Sequence, residues 1–408
     1  MRTFLMLQGV CSPFFAALGR ALRAGGARVQ KVSFNAGDLV SWGLAGSWAF
    51  RDALTALPEF LEQRCARAGL EVTDQILFGD CRPVHRAAIA WGTRRGVRTH
   101  VFEEGYLRPW WVTLERSGVN GRSALPRDAE WYRQMAARLP EEPPVEPFSA
   151  RLLDRARHDV LYHACGALNP LLFPRYRTHA PVNAAVEYAA YARRYLRLRR
   201  QAAPDRARQE LIQRSARPYY FLPLQLEADA QIREYSSFTG MRPVLATVLE
   251  SFARAAPAGA RLVVKNHPLD PGLCDHARDL AELGARFGLA ERLEYLETGE
   301  VERLVTGARG VVTVNSTVGL LALGAGRPVK TLARPLYDLP GLTFQGPLDE
   351  FWQSGEPPEE ALYGSFRRTL VHATQVNGGF YSASGIELAV RNSCRRLLAE
   401  RAPLEDPA

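Results

Sequence analysis

The strongest constraint on this chain is a repeated local pattern. A short apolar run ends in glycine or polar residues, and a helically spaced apolar stretch follows. Thr3–Leu7 runs into Gln8-Gly9, after which Phe14, Leu18 and Leu22 recur at helical spacing, and Arg28–Phe34 is the next strand. Gln75–Phe78 meets Gly79-Asp80 before a helix through His85–Trp91, and Thr99–Phe102 ends at Glu103-Glu104-Gly105. Strands this short, apolar along their length and separated by helices, belong in a parallel sheet covered on both faces. The pattern restarts with Tyr219–Leu224, a helix over Arg242–Arg254, then Arg261–Lys265 and Gly310–Val314.

Between the two halves lies a stretch of different composition. Leu139–Phe148 holds Pro140, Pro143, Pro144 and Pro147 and reads as a loop. From Ala184 to Arg200 the spacing is helical, with Tyr188, Tyr191, Tyr195 and Leu198 on one stripe and arginines on the other faces. The expected architecture is therefore α/β, with two Rossmann-like lobes whose parallel sheets face an interdomain cleft. Its expected division is an N-terminal lobe over 1–183, a basic amphipathic helix and linker over 184–217, a C-terminal lobe over 218–378, and a helix and tail over 379–408.

Charge is concentrated in that middle. The formal net charge is +9, and residues 188–217 hold nine arginines against Asp205 and Glu210. A local surplus of this kind suits an anionic surface, either membrane or polymer, or else a solvated helix face. Arg193, Arg194, Arg197 and Arg200 are its candidate membrane-facing residues. A nucleic-acid reading is disfavoured, because the anion-binding candidates sit at strand ends and not on a stacking platform.

Targeting and redox signals are sparse. MRTFLMLQGV is too short an apolar run for a secretory leader, and no stretch approaches the roughly 20 apolar residues of a membrane span. Cys11, Cys65, Cys81, Cys165, Cys274 and Cys394 show no Cys-x-x-Cys pair and no histidine at ligand spacing. Reduced thiols in the cytoplasm, and no metal, are the expectation.

The chemistry-bearing residues cluster where strands end. Asn315-Ser316-Thr317 opens a helix, where a Ser/Thr pair either caps the helix or, with the backbone N–H groups, holds a phosphate. Lys265-Asn266-His267-Pro268 is either a solvated turn or a phosphate site, with His267 donating a hydrogen bond and Lys265 adding charge. Gln225 and Glu227 follow the first strand of the second half and suit a base or a sugar hydroxyl. In the first half, Glu103 and Glu104 are adjacent carboxylates suited to a nucleophile or base, with Gly105 admitting substrate to the backbone. Arg108 fits the carboxylate of an acidic sugar, and Asn120 lies in the Gly118–Gly121 turn. At the other strand ends Gln8-Gly9 offers a tight backbone approach, Arg82 and His85 suit an acidic sugar or an anionic acceptor group, and Asp80 reads first as a helix cap and otherwise as part of that acceptor site. No Asp-x-Asp pair stands at a strand end, which argues against a metal-bridged diphosphate donor.

Several blocks carry a family resemblance: FGDCRPVHRAAI (78–89), HVFEEGYLRPWWVTLERSGVNGRS (100–123), KNHPLD (265–270) and VNSTVGLLALGAGRPVKTL (314–332). With FNAGD (34–38), QLEAD (225–229) and LYDLPGLTFQGPLDEFW (336–352), they resemble the bacterial capsule polysaccharide proteins of the KpsS type, most weakly over 140–217. That resemblance implies a GT-B-like β-Kdo glycosyltransferase. Its reaction would move 3-deoxy-D-manno-oct-2-ulosonic acid (Kdo) from CMP-Kdo to phosphatidylglycerol, starting the capsule linker. It further implies a cytoplasmic protein peripheral on the inner membrane, with no cofactor beyond the donor substrate. Other capsule assembly proteins, including the two-module β-Kdo transferase, are its implied partners. In related CMP-sugar transferases a histidine-proline motif binds CMP and an acidic motif supplies the catalytic carboxylate, roles that fall on His267 with Pro268 and on Glu104. The two-module β-Kdo transferases carry Asp where this chain has Glu104. A β-linked donor and product imply retention, hence a covalent Kdo intermediate on Glu104. The alternatives are another CMP-sugar transferase, sialyl-like for instance, and a non-catalytic export or scaffold protein.

Overall fold

The computed structural model describes residues 1–178, 182, 184–227 and 229–399. Its chain divides into two units, one of residues 1–124, 135–179 and 367–408 and one of residues 125–134 and 180–366. The expected boundary at residue 183 and the tail 400–408 fall outside the described residues.

In the first unit, seven strands form one sheet. They are β1 (Thr3–Met6), β2 (Arg28–Ser33), β3 (Ser47–Ala49), β4 (Asp74–Phe78), β5 (Arg98–Glu104), β6 (Trp111–Arg116) and, from far along the chain, β12 (Gln375–Asn377). Their order is β12-β6-β5-β4-β1-β2-β3. The five strands β5-β4-β1-β2-β3 are parallel, whereas β6 pairs antiparallel with both β5 and β12. β1 is buried along its whole length, as a central parallel strand must be. Asp74 opens β4 fully buried, yet Arg2 and Arg98 pair with it and His100 Nε2 donates to it at 2.8 Å. Burial alone would raise that carboxyl, but the hydrogen bonds from His100, Arg2 and Thr73 together hold it well below the ordinary carboxylate range.

The second unit carries a wholly parallel sheet of β7 (Tyr219–Pro223), β8 (Arg261–Lys265), β9 (Leu293–Leu296), β10 (Gly310–Thr313) and β11 (Val329–Thr331). The order is β11-β10-β7-β8-β9. Tyr220, Phe252, Phe351 and Trp352 fill one side of it, and Trp352 Nε1 donates to Ser251 Oγ at 2.8 Å. The α/β class with two Rossmann-like, largely parallel sheets is thus what the chain adopts.

Two expectations about its organisation are corrected. The second lobe ends at Phe366, not at 378, because the chain returns to the first unit. There β12 extends the sheet at β6, Phe380 packs 5.0 Å from Phe14 and 5.4 Å from Phe78 between ring centroids, and helix Ala383–Leu398 covers helix Phe14–Ala24. A buried ring of this kind contributes about 2 kcal/mol, which makes the return a structural element and not a tail. The arginine-rich segment is one helix, Ala184–Arg214, that continues through Pro204.

The second correction concerns which face of that helix is inward. The tyrosine stripe is not the buried one: Tyr195 is exposed, while Ala190, Arg194, Asp205, Gln209 and Ile212 are buried. Arg194 is only 4% exposed, 3.4 Å from Glu297 and 3.8 Å from Asp270, and donates to the His267 carbonyl at 3.0 Å. It cannot face a membrane. Arg197 stays at the surface but also pairs with Glu297, and Arg193 donates to the Gly272 carbonyl; Arg200 is exposed.

Candidate active site

Both sheets gather the sequence-derived candidates at strand carboxyl ends. In the second unit the central strand β7 is flanked by β10 and β8, so Gln225, Asn315-Ser316 and Asn266-His267 leave three adjacent strands. Gln225 and Asn315 lock together: Gln225 Nε2 donates to Asn315 Oδ1 at 2.9 Å, and Asn315 N donates back to Gln225 Oε1 at 3.2 Å. His267 Nδ1 accepts from Leu269 N at 3.1 Å, which assigns the ring proton to Nε2 and makes that nitrogen a donor. Asn266 fixes the turn beneath it, with Oδ1 accepting from His267 N at 2.7 Å and Nδ2 donating to Glu297 at 3.0 Å. Pro268 follows, exposed.

Four assignments in this unit change. Lys265 is buried, and its ammonium donates inward to the Asn266 carbonyl at 3.0 Å; burial, reinforced by the Arg194 charge, pushes it down to about 8. It stiffens the turn and does not offer surface charge. Glu227 is occupied in capping helix Met241–Ala255, accepting from Met241 N at 2.9 Å. Thr317 precedes helix Val318–Gly324 without a side-chain cap bond, and Ser316 Oγ instead accepts from Val318 N at 3.2 Å. Gln225 is buried in its pairing with Asn315.

In the first unit the strands β5, β4, β1 and β2 are neighbours, which lines up Glu103-Glu104, Gly79-Asp80, Gln8-Gly9 and Phe34-Asn35. Helix Leu152–Gly166 spans these ends. Arg155 donates to Glu104 Oε1 at 3.2 Å, and Tyr162 Oη accepts from Gln8 Nε2 at 3.0 Å and from Asn35 Nδ2 at 2.8 Å. Tyr381 reaches the same Glu104 oxygen, its hydroxyl donating at 3.3 Å, and the Arg155 guanidinium lies 5.0 Å from the centre of the Tyr381 ring. Burial, and then the Glu104 charge, pushes the Tyr381 hydroxyl well above its ordinary range, so it remains a donor. Glu104 borders a cavity of ≈ 260 Å³ with Arg108, Trp111, Arg151, Arg155 and Tyr381. A partly exposed carboxylate held by an arginine and a tyrosine beside an arginine-rich cavity can attack an electrophile that carries its own negative charge.

Gln8 and Arg82 line a second cavity of ≈ 480 Å³, with Phe34, Phe50, Arg175 and Arg177. Arg82 donates to the Gly9 carbonyl at 3.1 Å and stacks on Phe78. Glu103 Oε1 accepts from Glu104 N at 3.0 Å. Arg108 is exposed and its Nε donates to the Gly105 carbonyl at 3.2 Å.

Other first-unit candidates prove structural. His85 is fully buried and its Nδ1 donates to the Gly79 carbonyl at 2.6 Å, so it braces the turn and does not meet an acceptor. Arg82, not Asp80, is the N-cap of helix Pro83–Arg94; Asp80 is buried, takes the Val119 N–H at 3.4 Å and pairs with Arg122 at 3.6 Å. Asn120 N donates to Tyr106 Oη at 2.7 Å, and Tyr106 in turn donates to buried Glu115 at 2.8 Å. Gly9 is required by Phe15, whose ring lies 2.8 Å from where a Cβ would stand, and Gly105 by the Trp111 carbonyl at 2.0 Å. Neither glycine is there to admit a substrate.

Sequence reasoning missed Arg155 and Tyr381. Both lie outside the strand-end motifs, although Asn377-Gly378-Gly379-Phe380-Tyr381 does repeat the strand-then-glycine signature of the other sites. It also missed that Cys11, Asp159 and His163 come together, their ligand atoms within 4.8 Å of one another. Three such side chains could hold a cation. Burial pushes the Cys11 thiol up to about 12, so without a cation it stays protonated.

Residues 73–381 match the family described as "Capsule polysaccharide biosynthesis protein". The chain is 36% identical to the capsule polysaccharide export protein KpsS of Escherichia coli, over 93% of this chain and 97% of that protein. It is 33% identical to the capsule polysaccharide modification protein LipB of Neisseria meningitidis serogroup B, over 93% and 91%. Among solved structures it is similar to the Thermosulfurimonas dismutans KpsC β-Kdo 2,7 transferase, with a TM-score of 0.47, 15% identity, and coverage of 97% of this chain and 99% of that one. Its near full-length match to KpsS and LipB makes the chain a member of the capsule polysaccharide biosynthesis protein family.

Proposed function

We propose that the protein is a retaining β-Kdo transferase that moves Kdo from CMP-Kdo to phosphatidylglycerol and so starts the lipid linker of a capsular polysaccharide. The observation that carries the reading is Glu104: a carboxylate at a strand end, held by Arg155 and Tyr381, beside a cavity lined by Arg108 and Arg151. Membership of the capsule biosynthesis family supports the pathway, and the resemblance of the acidic and histidine-proline motifs supports the donor.

Glu104 attacks C2 of the sugar. A C–O bond forms as the bond from C2 to the CMP phosphate oxygen breaks, and CMP leaves with that electron pair. The acceptor hydroxyl then attacks C2 from the opposite side, returning the bonding pair to Glu104 and giving up its proton, with Glu103 the adjacent carboxylate to take it. Two inversions restore the starting configuration. Arg108, Arg151 and Arg155 supply positive charge for the Kdo carboxylate and keep Glu104 oriented. On the donor side, His267 Nε2 donates to the CMP phosphate while the Gln225–Asn315 pair and Ser316 shape the floor. In this reading no metal takes part, and the protein works at the cytoplasmic face of the inner membrane beside other capsule assembly proteins. Among the described residues no helix is long and apolar enough to cross a membrane.

The test is incubation of the whole protein with CMP-Kdo and phosphatidylglycerol, followed by mass spectrometry of the lipid. A single added Kdo unit is the expected product. Transfer of another CMP-activated sugar in its place would move the reading to that donor, and capsule production unaffected by E104A would make the protein a scaffold.

A further inference from the structure

Helix Leu152–Gly166 has its polarity reversed relative to an ordinary surface helix. Its inward side carries Arg155, His158 and Tyr162, which bond Glu104, the Tyr381 carbonyl, and Gln8 with Asn35. Its outward side carries Leu153, Val160 and Leu161, and the stripe continues through Leu168 and Leu171 on the following turn. Leu153 is 73% exposed and Leu171 82%. Spacings of seven and one residues keep Leu153, Val160 and Leu161 close to a single helical face, while Leu168 is the N-cap of the short helix Asn169–Leu172 that follows and Leu171 lies within it. A soluble protein has no internal use for such a stripe.

The segment that carries the stripe is basic. Residues 151–177 hold Arg151, Arg155, Arg157, Arg175 and Arg177 against Asp154 and Asp159, and Arg151, Arg157, Arg175 and Arg177 are exposed. Asp52 faces Arg175 at 3.5 Å and offsets part of that charge. An exposed apolar face that carries Arg157, in a segment with a surplus of exposed arginines, complements the boundary between anionic headgroups and acyl chains. A protein partner would have to match both, and nothing in the stripe offers the aromatic anchors or paired carboxylates of such an interface.

We propose that the outward face of residues 152–171 docks on an anionic bilayer surface and sets the Glu104 site, on the opposite face of the same helix, directly behind the headgroups. The arginine-rich helix Ala184–Arg214 is not the anchor, since part of its charge is used inside its own unit. The purpose of docking rests on the lipid acceptor proposed above, but docking itself is measured without any transfer.

The experiment is co-sedimentation of the full chain with phosphatidylglycerol vesicles and with phosphatidylcholine vesicles. Wild type, the triple variant L153S/L161S/L168S and the control R193Q/R200Q are compared, with thermal unfolding confirming that each is folded. Wild type should bind phosphatidylglycerol vesicles at least tenfold more tightly than phosphatidylcholine. The triple variant should lose at least tenfold and the control should match wild type. Unchanged binding by the triple variant, loss of binding by the control alone, or no binding by wild type overturns the proposal. So does a triple variant that turns a wild-type dimer into a monomer without altering vesicle binding, which would make the stripe a protein interface. Kdo transfer to a short-chain, monomeric phosphatidylglycerol should survive in the triple variant. If no variant transfers Kdo yet vesicle binding follows the expected pattern, the enzymatic reading falls and the docking surface stands.

Discussion

Arg155 donates to Glu104 across 51 residues of sequence, at 3.2 Å, from a helix that lies over the strand end bearing the carboxylate. The contact fixes the Glu104 carboxylate beside the cavity, where the proposed reaction needs a nucleophile. E104Q and E104A should therefore lower kcat by about 10³-fold or more in a single-turnover transfer assay, and R155A by about 10²-fold with a smaller change in KM. R155K should recover part of that loss, because a lysine restores charge but not the planar fork. Near-normal turnover by E104A would remove the nucleophile from the mechanism.

His267 gives a binding prediction that needs no turnover. At CMP concentrations about 100 times Kd, binding to the native state adds about 2.7 kcal/mol and raises the melting temperature by several degrees. H267A should abolish that rise while leaving the unfolding free energy of the free protein within about 1 kcal/mol of wild type, since the ring is partly exposed. An unaltered CMP-dependent shift would exclude the ring from the phosphate site.

Glu115 ties stability to pH. It is buried beneath the Asn120 turn with Tyr106 and Ser123 as donors, and burial pushes its carboxyl up to about 7 from an ordinary 4.5. The folded protein thus holds a proton that the unfolded chain gives up. Stability should be greatest below about pH 4.5 as far as this group is concerned, and fall as pH rises through 7, by on the order of 3 kcal/mol. E115Q should flatten that slope in melting curves taken between pH 5 and 8, whereas an equal slope in wild type and variant would show that another group is responsible.

Arg194 and Arg200 should separate cleanly. R194A leaves Glu297 and Asp270 buried without their cation and should cost about 3–5 kcal/mol in unfolding. R200Q, at an exposed position of the same helix, should change stability by less than about 0.5 kcal/mol. Equal effects would mean that Arg194 is not the internal strut it resembles.

These residues also show what a sequence can disclose. Strand-helix alternation revealed both sheets, because a fully buried parallel strand needs a continuous apolar run and Tyr219–Pro223 or Arg261–Lys265 can hardly be anything else. The strand-end motifs picked out Glu104 and His267 as candidates because ligands gather where parallel strands end. What stayed hidden was long-range assembly. Nothing local in Arg155 or Tyr381 marks them as neighbours of Glu104, and β12 is three residues long. His85, Asp80 and Lys265 look reactive as residue types, yet each spends its polar atoms inside the fold. The arginine run misled most: composition announced a charged surface, but Arg194 neutralises carboxylates that the sequence places about 75 and 100 residues away.

The return of the chain through β12 sets a limit on how this protein can be made or dissected. Tyr381 stands at the Glu104 carboxylate because Phe380, beside it, is wedged among Phe14, Phe78 and Phe102. Glu104 precedes nearly all of the second unit in the chain, whereas Tyr381, which bonds it, follows that unit. A growing chain can therefore hold the whole strand-end motif and still lack the Tyr381 bond to Glu104, which forms only after the second unit has been made.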